Sequence, residues 1–297
     1  MNRALIVGCG YTGAALSAQL ADADVEVFTT STQNAEDPRH RQLDLTRDVE
    51  LSLPESEGAV VYYMVSTLFR QYDPDARPHL QPLRRLLRGL VRPRGVVYLS
   101  STSVYGDRRG GWVDEESTVA PSSPWALMRV ELEAEVRAYG AEQGIPACIA
   151  RLPEIYGPGR GPQSRLRQGL SRSEPVSADG RGYVLRYPER YSNRIHIDDL
   201  AAVLRRLGER LDQPLLLVSD DRPARSEEVY RFTARQLGID LVVAPPEQTA
   251  DLNLQALRSE SKRCQNARLR AWHGALRYPS YVEGITAILS SEGSPQG

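Results

Sequence analysis

The chain opens on an unbroken apolar run, Ala4-Leu5-Ile6-Val7, then a glycine-rich turn and an alanine-rich stretch from Gly13 to Ala21. Val25 to Phe28, Ala59 to Val65 and Val96 to Ser100 repeat the apolar run, and Leu80 to Val91 repeats the helix-like stretch. Such alternation predicts βα units and a parallel sheet. Runs apolar at consecutive positions are what strands covered on both faces require, and right-handed crossovers then place helices on both sides of the sheet. The predicted fold class is therefore α/β and doubly wound. Pro124 to Tyr139 reads as a long helix, apolar at 127, 128, 132 and 136; Gly144-Ile145-Pro146 stops it, and a strand runs to Arg151, making six β/α steps. Past residue 152 the pattern loosens into Gly/Pro/Arg-rich sequence (157–188). A helix is expected near Asp198 to Leu211, a strand at Leu215 to Val218, and helices at Ser226 to Leu237 and near Tyr281 to Leu289. Ser290 to Gly297 is expected to fray.

Gly8-Cys9-Gly10-Tyr11-Thr12-Gly13 fits GxGxxG between a strand and a helix, the context in which the pattern signals a dinucleotide. One glycine makes the tight turn, one admits the pyrophosphate to the backbone, and one lets helix pack on strand, while the helix N-terminus presents N–H groups to the phosphates. A Rossmann-type domain over residues 1–152 is expected, with 153–297 adding late sheet elements and a small C-terminal substrate lobe. Cofactor type depends on the end of the second strand, where NAD-binding chains place a carboxylate. Here Phe28 leads into Thr29-Thr30-Ser31-Thr32, which favours NADP over NAD, although no dedicated arginine is evident. Asp44 and Leu45 suit an adenine edge, or Asp44 caps a turn before Thr46. The candidate cofactor residues are Gly8, Gly10, Tyr11, Thr12, Gly13, Thr30, Asp44, Leu45, Val65 and Arg129.

Composition narrows the function classes. With 37 Lys+Arg against 38 Asp+Glu and a net charge of −1, the 297 residues carry no polybasic block for nucleic acid or an anionic bilayer. No apolar stretch approaches the roughly 20 residues of a membrane span, and no secretory leader pattern precedes the first strand, so a soluble, cytoplasmic chain is expected. Cys9, Cys148 and Cys264 are too scattered for a disulfide framework or zinc site, and no metal site is expected. Lys262 is the single lysine, so any chemistry that needs a lysine must use it.

Five stretches in order, GCGYTG (8–13), LDL (43–45), VVYLSSTSVYGD (96–107), RLPEIYGPG (151–159) and RIHIDDLAAVL (194–204), together resemble the extended short-chain dehydrogenase/reductases, the NAD(P)-dependent epimerase/dehydratases of nucleotide sugars. The resemblance implies an oxidoreductase or epimerase with a small-molecule substrate, a sugar nucleotide by analogy, and a homodimer formed through helices. It also implies a Ser, Tyr and Lys group in which Tyr moves a proton, Lys lowers its pKa and holds the nicotinamide ribose, and Ser bonds the reacting oxygen. Ser101 falls on the Ser position. The Tyr and Lys positions fall on Trp125 and Arg129, and no lysine exists between residues 1 and 261. An indole N–H does not titrate usefully, and a guanidinium stays charged at any working pH.

Where the family often carries Asn against a substrate phosphate, this chain has Glu154, either a replacement acid/base or a structural carboxylate paired with Arg160 or Arg165. Tyr105 and Tyr156 are alternative phenols or packing residues, and His196 an acid/base or a packing and capping residue, with Asp198 expected to cap the next helix. Ser261-Lys262-Arg263 is either a cation for an anionic substrate or a solvated turn. Two functions follow: an atypical enzyme built on Ser101, or a nucleotide-binding sensor or scaffold without turnover.

Overall fold

The computed structural model describes residues 1–47, 51–65, 73–170, 183–185, 187–243, 256 and 259–293. It divides into two compact units: Met1–Val104 with Pro121–Arg151 and Leu200–Leu216, and Tyr105–Ala120 with Leu152–Asp199 and Leu217–Gly297.

Seven strands form the central sheet: β1 (Arg3–Val7), β2 (Glu26–Ser31), β3 (His40–Gln42), β4 (Val60–Tyr63), β5 (Gly95–Ser101), β6 (Ala147–Leu152) and β7 (Leu215–Leu217), in the order β3-β2-β1-β4-β5-β6-β7. Pairing is parallel, with Ala4 opposite both Val27 and Val60, Val60 opposite Gly95, and Thr29 opposite His40. The order reverses between β1 and β4, and open α/β sheets place ligands at such a switch point, beyond the carboxyl ends of the strands. The consecutive apolar runs are buried as expected: Ala4, Leu5, Ile6, Val60, Val61, Val96 and Val97 are fully inaccessible.

Helices α1 (Tyr11–Ala21), α2 (Leu80–Gly89) and α3 (Pro124–Gln143) belong to the first unit. One core joins Leu83 and Leu86 of α2 and Leu132 and Val136 of α3 to Val61, Val96 and Tyr98 of the sheet. Ser123 opens α3 by accepting the Ala126 N–H, and Gly144, at φ +65°, closes it in the left-handed conformation that glycine tolerates. The helix outlasts its apolar pattern by one turn, Gly140–Gln143, because the stop signal and not the last apolar residue sets its end.

Helices α4 (Pro162–Leu170), α6 (Ser226–Leu237), α7 (Ala267–His273) and α8 (Tyr281–Gly293) lie in the second unit; α5 (Ile197–Arg210) begins there and continues into the first. A parallel pair sets Glu154, Ile155 and Tyr156 opposite Arg194, Ile195 and His196. Tyr156, Val229, Tyr281, Ile285 and Ile288 form a core of this unit. Ser290 to Gly293, expected to fray, continue α8, where Ser291 Oγ donates to the Ile288 carbonyl at 2.7 Å; the rest of that tail, and 171–182 and 186 of the Gly/Pro/Arg-rich stretch, lie outside the described residues. Cys148 and Cys264 are buried thiols, pushed up to about 11 and about 12 by burial, and Cys9 is half-buried. No described helix is long and apolar enough to cross a membrane, and among the described residues no three His, Cys, Asp or Glu side chains gather as a metal site.

Candidate functional site

β1 delivers the glycine turn to the switch point. Gly8 sits at φ +88°, and a Cβ there would meet Val65 Cγ2 at 2.9 Å, so both turn and packing demand glycine. Gly13 lies in the first turn of α1, where a Cβ would stand 3.1 Å from Ile6 Cγ2 and 3.2 Å from Cys9 Sγ. Gly10 differs from both. Its φ of −102° with ψ −148° falls outside the regular extended and helical regions, and a Cβ there would meet nothing within 4 Å. Packing within the chain therefore does not explain that glycine, which stands at the GxGxxG position that in dinucleotide-binding turns lets the backbone approach a pyrophosphate. Gly10 is also the N-cap of α1, which no side chain caps and whose first turn carries no acid, so the helix dipole faces the turn unopposed by a carboxylate. Tyr11 and Thr12 begin this helix, Tyr11 half-buried and Thr12 nearly covered.

The end of β2 is tied to the same turn. The Gly8 and Cys9 N–H groups donate to the Thr30 carbonyl at 3.1 and 2.7 Å. Thr30 is 2% exposed and its hydroxyl is 3.4 Å from the Gly8 N–H, so it braces the turn from within. Beyond it Ser31, Thr32 and Gln33 reach the surface with no carboxylate among them. Asp44 Oδ1 accepts from both the Thr46 N–H (3.0 Å) and hydroxyl (2.6 Å), the turn-capping geometry, and those bonds hold its carboxyl below the usual range. Leu45 is buried.

At the ends of β5 and α3 the described side chains are Ser101, Trp125 and Arg129. Ser101 is half-buried, and its Oγ accepts the Ser103 N–H at 3.2 Å. Arg129 donates to the Leu99 carbonyl at 3.4 Å, and its charge lies near the Tyr63 and Tyr98 phenols. Beneath them is a network that the sequence reading missed. Glu133, 1% exposed, accepts from Ser100 Oγ at 2.6 Å, from Arg151 Nε and Nη2 at 3.0 and 2.8 Å, and from Arg137 at 3.0 Å. Burial raises its pKa, but hydrogen bonds and charge from Arg151, with help from Ser100 and Arg137, hold it below the ordinary range. The network fixes the strand end that carries Ser101. The signal was present: Arg151 interrupts the buried run Cys148-Ile149-Ala150, and an arginine at 4% exposure requires a carboxylate.

Glu154 belongs to the second unit. Its carboxylate pairs with Arg165 at 2.5 Å and lies 3.6 Å from Arg194 Nε. Burial raises its pKa; Arg165, Arg194 and Arg190 outweigh that and keep it ionised. Arg165 is one of the two partners expected for a structural carboxylate, and its Nη1 also donates to Tyr230. His196 is 2% exposed, its ring 5.2 Å from that of Tyr156 and 4.0 Å from that of Tyr278, and its Nδ1 accepts the Asp198 N–H. Burial lowers its pKa, so it stays neutral as a packing and capping group. Asp198, expected to cap α5, instead lies within its first turn, which starts at Ile197; beside it Asp199 accepts from the Arg277 and Tyr278 N–H groups at 2.7 and 2.9 Å. Tyr105 and Tyr156 are fully buried, Tyr156 donating to the Ser280 carbonyl. Lys262 is not solvated: at 6% exposure its Nζ pairs with Glu260 at 2.7 Å.

Comparison with known proteins agrees with this arrangement. The family model described as the NAD dependent epimerase/dehydratase family matches residues 4–215. The uncharacterized UDP-glucose epimerase YtcB of Bacillus subtilis is 31% identical over 117 residues, which are 37% of this chain and 36% of that protein; the match thus spans about a third of the relative's length. The structure of a functionally unknown conserved protein from Silicibacter pomeroyi is 28% identical, with a TM-score of 0.76 over 98% of this chain and 99% of the other. Thermus thermophilus UDP-glucose 4-epimerase, solved in complex with NAD, shares the fold at 17% identity, with a TM-score of 0.73 over 98% and 99% of the two chains. With the family match covering most of the chain and a seven-stranded sheet reversing at its glycine turn, this protein belongs to the NAD-dependent epimerase/dehydratase family.

Proposed function

We propose that the chain binds a nicotinamide dinucleotide at the Gly8–Gly13 turn and acts as an atypical oxidoreductase or epimerase on a small molecule, a sugar nucleotide by analogy with its relatives, in the cytoplasm. The observation that carries this reading is Gly10, a glycine of the turn beside which the chain leaves open space. Gly8, Tyr11, Thr12, Gly13 and Val65 complete the seat at the phosphates, Leu45 and the Asp44 turn lie toward the adenine, and Arg129 stands at the ribose side. A β2 end without a carboxylate favours NADP over NAD. When bound, the nicotinamide supplies a hydride acceptor or donor.

The chain's own contribution centres on Ser101, whose hydroxyl donates to the reacting oxygen and orients it. Trp125, at the Tyr position, moves no proton. Arg129 supplies positive charge, which stabilises an oxyanion. Glu154, held ionised by its arginines, has no proton to give near neutral pH; it serves as their counter-ion.

Trp125 and Arg129 in the positions of Tyr and Lys favour a second reading, a dinucleotide-binding sensor or scaffold without turnover. Incubation with UDP-glucose and other nucleotide sugars, with NAD or NADP, separates the two. For the enzyme, conversion is expected and Ser101→Ala lowers it about a hundredfold with cofactor affinity unchanged. Cofactor binding without conversion of any sugar nucleotide supports the sensor.

A further inference from the structure

The short strand β3 reaches across to the turn that follows β2, and the two are joined by side chains as well as by backbone. His40 Nδ1 is 2.8 Å from Thr29 Oγ1, and its Nε2 lies 2.9 Å from the Gln33 carbonyl and 3.2 Å from Ser31 Oγ. A carbonyl only accepts, so Nε2 carries the proton and donates to Gln33. Two residues on, Gln42 Nε2 donates to the Thr32 carbonyl at 3.0 Å. Ser31 Oγ closes the turn by donating to the Gln33 carbonyl at 3.0 Å and accepting the Gln33 N–H at 3.2 Å.

Each of these bonds falls on an acceptor. The carbonyls of Thr32 and Gln33, the turn's strongest sources of negative potential, are both taken by donors from β3, and no carboxylate stands in Ser31-Thr32-Gln33. Both ring nitrogens of His40 are engaged as well, and the exposed polar side chains of the turn are those of Thr32 and Gln33. The nearest acid in sequence before β3, Asp37, spends Oδ1 on the Arg39 N–H at 2.8 Å. Because the glycine-turn N–H groups are bonded to Thr30, this braced turn directly adjoins the dinucleotide seat. That is where a doubly wound fold meets the C2′ substituent of the adenosine ribose.

We propose that His40 and Gln42 are the positioning residues that set selectivity at this point: by occupying the turn's carbonyls they make it accept a phosphate monoester on the ribose rather than a free 2′-hydroxyl. The inference rests on the dinucleotide reading above and adds residues that the motif does not contain. An unbraced turn would be free to aim its carbonyls outward, where they repel a 2′-phosphate and accept from a 2′-hydroxyl.

The test is the pair of dissociation constants for NADPH and NADH, measured on the full chain and on His40→Ala, Gln42→Ala and His40→Gln, with the melting temperature of each as a check on folding. The full chain is expected to prefer NADPH by about tenfold or more, the step one charge-assisted hydrogen bond sets. In His40→Ala and Gln42→Ala the NADPH constant rises by about that factor while the NADH constant holds, so the ratio approaches unity; His40→Gln, which keeps a donor, recovers part of it. Unchanged ratios in folded variants, or a full chain that prefers NADH, overturn the inference and leave the dinucleotide site standing. Failure of the full chain to bind either cofactor overturns both.

Discussion

Replacing Glu133 by glutamine removes one charge and almost no volume from the centre of the buried network. The carboxylate is 1% exposed and its principal partner Arg151 only 4%. Glutamine can still accept from Ser100, but it offers one oxygen where Arg151 uses two, and it leaves the guanidinium charge uncompensated. Removing one partner of a buried pair costs about 3–5 kcal/mol; the Arg137 contact, whose side chain is 44% exposed, adds at most about 1 kcal/mol. Urea unfolding followed by circular dichroism should show Glu133→Gln less stable by about 3 kcal/mol or more. The double variant Glu133→Leu/Arg151→Met should be more stable than either single change, because it leaves no charge buried alone. The same network has an acid limb. Its folded pKa lies below the ordinary value of 4.5, so its contribution is complete above that value and is lost as pH falls through the folded one. The gap between the parent and Glu133→Gln should therefore narrow in acid. A loss under about 1 kcal/mol, or a gap independent of pH, would refute the reasoning.

Other expectations rest on separate contacts. Gly284→Ala places a Cβ 2.1 Å from Tyr156 Oη and should cost about 1–3 kcal/mol in thermal or urea unfolding, with Tyr156→Phe in the same chain recovering part of it. Gly8→Ala forces a side chain to φ +88° against Val65 and should lower stability by about 1–2 kcal/mol even without cofactor, readable as a fall in melting temperature. Glu154→Gln leaves Arg165 and Arg194 without their carboxylate; its folded pKa is also depressed, so the variant should be less stable near neutral pH and converge on the parent as pH falls below the ordinary value of 4.5.

What could be read from the chain was whatever repeats locally. Consecutive apolar residues such as Ala59 to Tyr63 announced strands covered on both faces, and Ser123-Pro124 with Gly144 bracketed α3 because caps act within a few residues. The glycine turn was legible for the same reason. The polar groups that hold the site in shape were not, because their partners are remote. Glu133 finds Arg151 across 18 residues, and the only lysine is consumed by Glu260 beside it instead of standing exposed in a basic turn. His40 and Gln42 gave no periodic signal at all; a three-residue edge strand brings them to Ser31 and Thr32 only once the sheet is paired.

The most direct test of the dinucleotide assignment is Gly10→Asp, measured for cofactor binding by quenching of tryptophan fluorescence and for stability by melting temperature. Aspartate is a favoured helix N-cap and a Cβ at this position meets no protein atom, so the variant should still fold cooperatively. A carboxylate in the pyrophosphate seat should at the same time abolish binding of NADPH and NADH. A cooperatively folded variant with binding lost is the expected result; binding within about twofold of the parent, far below the ~1.4 kcal/mol that a tenfold loss represents, would contradict the assignment of this turn to a dinucleotide.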